Sequence, residues 1–312
     1  MKVFLAGATG AVGRPLLREL LQAGHDVVGT TRKPARAREL ERAGAEALVL
    51  DALETESLVR AVIRARPEVV IDQLTQLPQR IRPRGMRAFY RRQNLLRGRA
   101  GAALIEAARS AGARRLIAQS VAFIYAPNGE ELRREDDPVW RDAPAPFGRA
   151  LRIAADHDER VAACDELEGV VLRYGVFYGP GTHSAPGNGI YEDVRRRRFP
   201  VAGAGNAVWS FVHVEDAARA TMDALGRGSA GIYNIVDDEP APVSEWLPAY
   251  AEAIGARPPR RLPAWLVRAF AGPAMAAWLT NRPGAANQKA KGELGFSPRF
   301  ASWRQGFREA LA

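Results

Sequence analysis

Val3-Phe4-Leu5-Ala6-Gly7-Ala8-Thr9-Gly10-Ala11-Val12-Gly13 is the stretch that decides the fold. Val3–Ala6 is a short apolar run of the kind that forms a buried strand. Gly7, Gly10 and Gly13 follow at three-residue spacing, and a helical apolar pattern then runs from Val12 to Ala23. Glycines between a strand and a helix allow a tight turn, close approach of the backbone to a pyrophosphate, and close helix–strand packing. The helix start adds free N–H groups and partial positive charge. Gly7, Thr9, Gly10, Ala11, Val12 and Gly13 are therefore candidate dinucleotide-binding residues. Met1–Leu5 superficially resembles a secretion signal, but its apolar run is short and glycines follow at once, so a first strand is the better reading.

Outward from that turn, strand-like runs alternate with amphipathic stretches. His25–Thr30, Ala47–Leu50, Glu68–Ile71, Arg115–Gln119 and Gly169–Tyr174 read as strands. Ala35–Ala43, Thr55–Ala65, Gly85–Ala111 and Leu151–Ala163 read as helices. The alternation predicts an α/β fold, a Rossmann-type doubly wound parallel sheet with helices on both faces. After Gly175 the pattern changes, with glycine, proline and asparagine clustered between Gly179 and Gly189. The expected organisation is a cofactor-binding core over 1–173, to which 209–236 return, and a smaller C-terminal lobe over 174–312 that mainly binds substrate.

The end of the second strand bears on cofactor choice. A carboxylate there would accept from the ribose 2′-hydroxyl of NAD. The residues are Thr30-Thr31-Arg32-Lys33, with no acid. Arg32 can meet a 2′-phosphate through its planar fork, and Lys33 can add charge. NADP(H) is the expected cofactor, with Thr31, Arg32 and Lys33 at its 2′-phosphate; the alternative is a pair of solvated loop cations.

Composition is ordinary for a globular protein, 47% hydrophobic and 26% charged over 312 residues. No uncharged apolar run approaches the length of a membrane span. One cysteine, Cys164, rules out an internal disulfide and fits a reducing compartment, so a cytoplasmic location is expected. The net charge of +10 permits an acidic small substrate. Its one local cluster, Arg195–Arg198, reads first as a solvated helix face, then as a contact to a phosphorylated substrate, and last as a nucleic-acid contact. With four histidines and one cysteine there is no metal-ligand spacing, no cysteine nucleophile and no Ser-His-Asp pattern.

The glycine turn, the Asp51-Ala52-Leu53 step, Leu172–Gly181 (LRYGVFYGPG), Phe211–Asp216 (FVHVED), Gly231–Pro240 (GIYNIVDDEP) and Glu293–Pro298 (ELGFSP) together resemble the NAD-dependent epimerase/dehydratase family, the extended short-chain dehydrogenases. The resemblance spans almost the whole chain. It implies that Asp51 and Ala52 lie by the adenine and that the Gly175–Gly181 loop lies near nicotinamide and substrate. It also implies that Leu74, Phe147 and Tyr174 face the cofactor. Members of the family often pair through the two long helices flanking the fourth and fifth strands, so a homodimer is an expectation.

The family's usual catalysis uses a Ser or Thr after the fifth strand and a Tyr-x-x-x-Lys pair on the next helix. Spacing to Arg173 sets Phe147 at the tyrosine position and Leu151 at the lysine position. No shift restores the pair, because no lysine occurs between Lys33 and Lys289. Counting back from Tyr125, the family's hydroxyl falls on Val121, with Ser120 one residue earlier. Ser120, Tyr125, Tyr178 and His183 are therefore the candidate proton-transfer residues, each with a structural role as the alternative. The resemblance implies an NADP(H)-dependent oxidoreductase or epimerase acting on a small polar hydroxy or carbonyl compound, nucleotide-sugar-like or a specialised metabolite. Membrane and nucleic acid are not expected as partners. A non-redox cyclase, dehydratase or isomerase, or a protein that senses NADP(H), stands as the alternative.

Overall fold

A computed structural model describes residues 1–77, 85–127, 132–145 and 147–310. β1 (Lys2–Ala6), β2 (Asp26–Thr31), β3 (Glu46–Val49), β4 (Val69–Asp72), β5 (Arg115–Val121) and β6 (Glu168–Tyr174) join the strand Gly231–Ile235 in one sheet. The order runs from Gly231–Ile235 through β6, β5, β4, β1 and β2 to β3. Every pairing in it is parallel, with Val3 opposite Val27 on one side and Val69 on the other. The inner strands read as apolar runs because helices cover both faces. This is the Rossmann architecture.

α1 (Gly13–Gln22) puts Leu16, Leu17 and Leu20 on one face, and all three are buried against β1 and β2. α2 (Pro34–Ala43) and the helix Val214–Asp223 share that layer. α3 (Thr55–Ala65), α4 (Met86–Leu95), α5 (Gly101–Ser110) and α6 (Phe147–Ala162) cover the opposite face. The stretch expected as one helix over Gly85–Ala111 is α4 and α5 joined by a π-helical turn, Leu96–Ala100. Such a turn inserts a residue into the helical ladder and re-aims the side chains it carries. It lies where the helix meets α6: a Cβ on Gly101 would stand 2.6 Å from His157 Cε1, so only glycine allows this approach.

The C-terminal lobe has its own aromatic core, including Trp209, Phe211, Trp246, Tyr250 and Trp303. Ala264–Thr280 forms two helical pieces broken at Gly272 (φ 86°), just before Pro273. Proline cannot donate into the preceding turn, and glycine supplies the left-handed geometry. Among the described residues, no helix is long and apolar enough to cross a membrane.

Candidate active site

β1 lies between β2 and β4, so chain connections diverge from its C-terminal edge, and ligands of open α/β sheets bind in that crevice. The glycine turn fills the edge. Gly7 (φ 88°) donates its N–H to Thr30 Oγ1 at 3.1 Å, and a Cβ there would stand 2.5 Å from the Gln73 carbonyl oxygen. A Cβ on Gly13 would meet the Gly7 carbonyl oxygen at 2.3 Å. Gly10 N–H closes the turn onto Gly7 O at 3.0 Å. Val12 caps α1, and a Cβ on Gly181 would come within 3.9 Å of Ala11 Cβ, so the turn after strand β7 (Val176–Tyr178) overhangs the helix start. Leu74 joins the same edge, its carbonyl accepting from Gln119 Nε2 at 3.1 Å.

The far end of the crevice is cationic. Thr9 and Thr31 hydroxyls lie 3.3 Å apart. Arg32 is exposed and donates to Gln76 Oε1 at 3.1 Å; Lys33 is exposed beside it. Arg36, which sequence reasoning missed, reaches back from the first turn of α2 to donate to the Thr9 carbonyl at 3.2 Å. The available signal was a cation in a first helical turn, where the macrodipole favours an anion. Beside them Asp51 accepts from Leu53 N–H at 3.1 Å and from Arg92 Nη2 at 3.1 Å, and Ala52 is buried. The turn, the helix start and the three cations together suit the phosphates of a nicotinamide dinucleotide.

At the opposite end, Phe147 opens α6 and Leu151 follows one turn later, both buried. The Phe147 ring meets Tyr90 edge-on at 5.4 Å and Trp278 at 5.3 Å. Trp278 also meets Phe123 at 4.9 Å. Against these rings sits Arg282, its guanidinium 4.5 Å from Trp278, 4.7 Å from Phe123 and 4.8 Å from Trp209. It is 5% exposed, and its Nε and Nη1 find no hydrogen-bond partner among the described residues. Burial brings its pKa down to about 9, with Tyr90 pulling the other way. A desolvated cation without a counter-ion is costly, and a bound anion removes that cost.

The four residues expected to move protons are not gathered in one place. Ser120 is buried on β5 against Asp158. Asp158 accepts from Arg173 Nε at 2.8 Å; Arg173 Nη1 donates to the Tyr125 hydroxyl at 3.0 Å, which itself donates to Asn234 Oδ1 at 2.6 Å. The Tyr125 phenol is thus engaged on both sides, and burial pushes its pKa up to about 12. Tyr178 lies in the C-terminal lobe beneath the helix Trp303–Ala310, ringed by Phe211, His213, Phe300 and Phe307, and burial drives its ionisation far upward. His183 is half-buried on the loop after β7, its carbonyl accepting from Ile190 N–H at 2.9 Å. Tyr174 is buried behind the glycine turn, its hydroxyl taking the Gln73 amide at 3.0 Å and meeting Thr221 Oγ1 at 2.7 Å. Two residues of this aromatic cluster, Tyr90 against Phe147 and Arg282 against Trp278, were not singled out from sequence.

The model of the NAD dependent epimerase/dehydratase family matches residues 3–236. The chain is 44% identical over 306 residues to a 3-diazoavenalumate denitrifying reductase from Streptomyces sp, covering 98% of this chain and 99% of the relative. Its fold is similar to UDP-glucose 4-epimerase of Thermotoga maritima with UDP-glucose, at TM-score 0.76 and 22% identity, covering 99% of this chain and 97% of that one. It is also similar to the human epimerase family protein SDR39U1 with NADPH, at TM-score 0.74 and 19% identity over 99% of both chains.

Proposed function

The chain belongs to the NAD-dependent epimerase/dehydratase family, and from that premise we propose that it is an NADP(H)-dependent reductase of a small aromatic carboxylate bearing a diazo group, which it removes as N₂. The observation that carries the substrate class is Arg282: a buried guanidinium with no ion pair among the described residues, its Nε and Nη1 unpartnered there, framed by Phe123, Trp209 and Trp278. Flat apolar walls with one cation suit an aromatic ring and a carboxylate. The near full-length relative, whose name denotes reduction of a diazo compound with loss of nitrogen, supplies the reaction class.

The residues divide the work by position. Gly7–Gly13 hold the pyrophosphate, and Arg32, Lys33 and Arg36 hold the 2′-phosphate. Asp51 and Ala52 edge the adenine, and Leu74 borders the pyrophosphate. A reduced nicotinamide bound in this crevice would supply the hydride. Phe147 and Leu151 form the apolar wall beside its ribose and exclude water from the reacting atoms. Arg282 fixes the substrate carboxylate. Tyr125 and Tyr174 brace the walls, their hydroxyls held by internal hydrogen bonds, while Ser120 and Tyr178 are buried in the walls with hydroxyls that find no partner among the described residues. In this reading most of 1–173 with Val214–Ile235 serves the cofactor, while Phe123 and Trp209 join most of 174–312 in serving the substrate.

The test is incubation with NADPH and 3-diazoavenalumate, following nicotinamide absorbance and evolved N₂. One N₂ is expected per NADPH consumed. Arg282→Leu should raise KM on the order of 10–100-fold, the loss of one charge-assisted contact. A protein that binds NADPH yet leaves the diazo compound untouched, or that epimerises UDP-glucose, overturns the reading.

A further inference from the structure

The α6 face offers a phenyl ring and a leucine where a proton donor and its cation would stand, yet removal of N₂ from the diazo carboxylate consumes one proton as well as one hydride. Another part of the wall must deliver it. Tyr90 is the phenol there: it lies on α4, half-buried, its ring 5.4 Å from Phe147. Arg97 follows seven residues later, in the π-helical turn that continues α4 and re-aims its side chains, and its charge acts on the Tyr90 phenol. It is half-buried, and its Nε has no hydrogen-bond partner among the described residues.

We propose that Tyr90 is the catalytic proton donor of this site and that Arg97 is the cation that stabilises its tyrosinate. The proposal rests on the reductase reading. Burial favours the phenol, and the charges that favour the phenolate are those of Arg97 in the π turn and Arg282 beside Trp278. Arg97 in turn feels Asp72 at the end of β4 and Asp158 on α6, as well as Tyr90. At rest the phenol is thus protonated, the state an acid needs, and two cations stand ready for the charge it acquires.

The step balances as follows. Tyr90 gives its proton to the conjugated diazo compound. The C–N bond breaks and its electron pair leaves with N₂. The hydride closes the second new bond to hydrogen, NADPH is oxidised to NADP⁺, and the tyrosinate recovers a proton from water. Net, the diazo carboxylate, NADPH and a proton become the reduced carboxylate, N₂ and NADP⁺.

Two readouts test this on the full chain. With ζ-¹³C-tyrosine, the resonance missing from Tyr90→Phe is followed by NMR while NADP⁺ is added. It should shift, and in Arg97→Gln its ionisation should move to higher pH. With 3-diazoavenalumate and NADPH, Tyr90→Phe should lower kcat about 10²–10⁴-fold, leaving NADPH affinity within about twofold and KM nearly unchanged. A Tyr90 signal indifferent to both NADP⁺ and Arg97→Gln overturns the proposal whether or not the diazo compound is a substrate. If the compound is turned over equally well by Tyr90→Phe, the donor role is overturned while the reductase reading stands. If wild type leaves the compound untouched, the reductase reading fails, and the resonance shifts alone then decide the Tyr90–Arg97 pair.

Discussion

Arg36 extends the cofactor argument by one side chain. Its guanidinium already points at the Thr9 carbonyl, inside the turn that would wrap the pyrophosphate. Arg36→Ala should therefore weaken NADPH binding on the order of 1.5–3 kcal/mol while leaving NADH binding unchanged, as calorimetric titration of both would show. Equal losses for the two nucleotides would assign Arg36 to the pyrophosphate or to folding instead. Arg32 drew attention because it stands where a carboxylate is looked for; Arg36 did not, because it sits in what reads as an ordinary helix. Arg282 was opaque for a different reason. Its meaning comes from Phe123, Trp209 and Trp278 converging on it, and rings so distant in the chain announce nothing by spacing. Tyr125 and Tyr178 attracted notice by neighbouring the right strands, but sequence says nothing about what a phenol touches.

Elements were more legible than sites because period follows burial. The apolar runs of β1, β4 and β6 and the Leu16–Leu20 stripe of α1 report which faces are covered. The π-helical turn at Leu96–Ala100 left no such mark, since a single inserted residue barely alters the apolar spacing. The contact between α1 and the end of β1 is the most sharply testable. Gly13→Ala places a methyl 2.3 Å from the Gly7 carbonyl oxygen, so the helix must back away from the turn. A stability loss of about 1–3 kcal/mol by urea unfolding is expected, with NADPH binding weakened at least about tenfold. Gly226→Ala, which meets nothing within 4 Å, should leave both unchanged. Normal NADPH binding in Gly13→Ala would refute the packing argument.

At the scale of the whole molecule, two buried groups near Arg97 set opposite pH slopes. His157 is held neutral by burial, its pKa falling from 6.5 to about 3. Between those values the unfolded chain binds a proton the folded one refuses, so stability rises with pH, at most about 1.4 kcal/mol per unit. Asp72 is raised by burial from 3.8 to about 6. Over that span the folded chain keeps a proton the unfolded one has lost, so stability falls as pH rises. Between pH 4 and 6, His157→Asn should therefore tilt the curve of urea midpoint against pH downward relative to wild type, and Asp72→Asn should tilt it upward. Parallel curves for all three proteins would show that neither group titrates as its burial demands. The aromatic slot carries a last consequence. Its roof, Trp278 and Arg282, comes from one short segment beyond the Gly272 break, whereas the dinucleotide cradle lies at the other end of the chain. On the proposed reading of that slot as the substrate site, inheritance can rewrite appetite without disturbing fuel: drift in a handful of codons near 278–282 would give descendants new substrates on an unaltered redox engine.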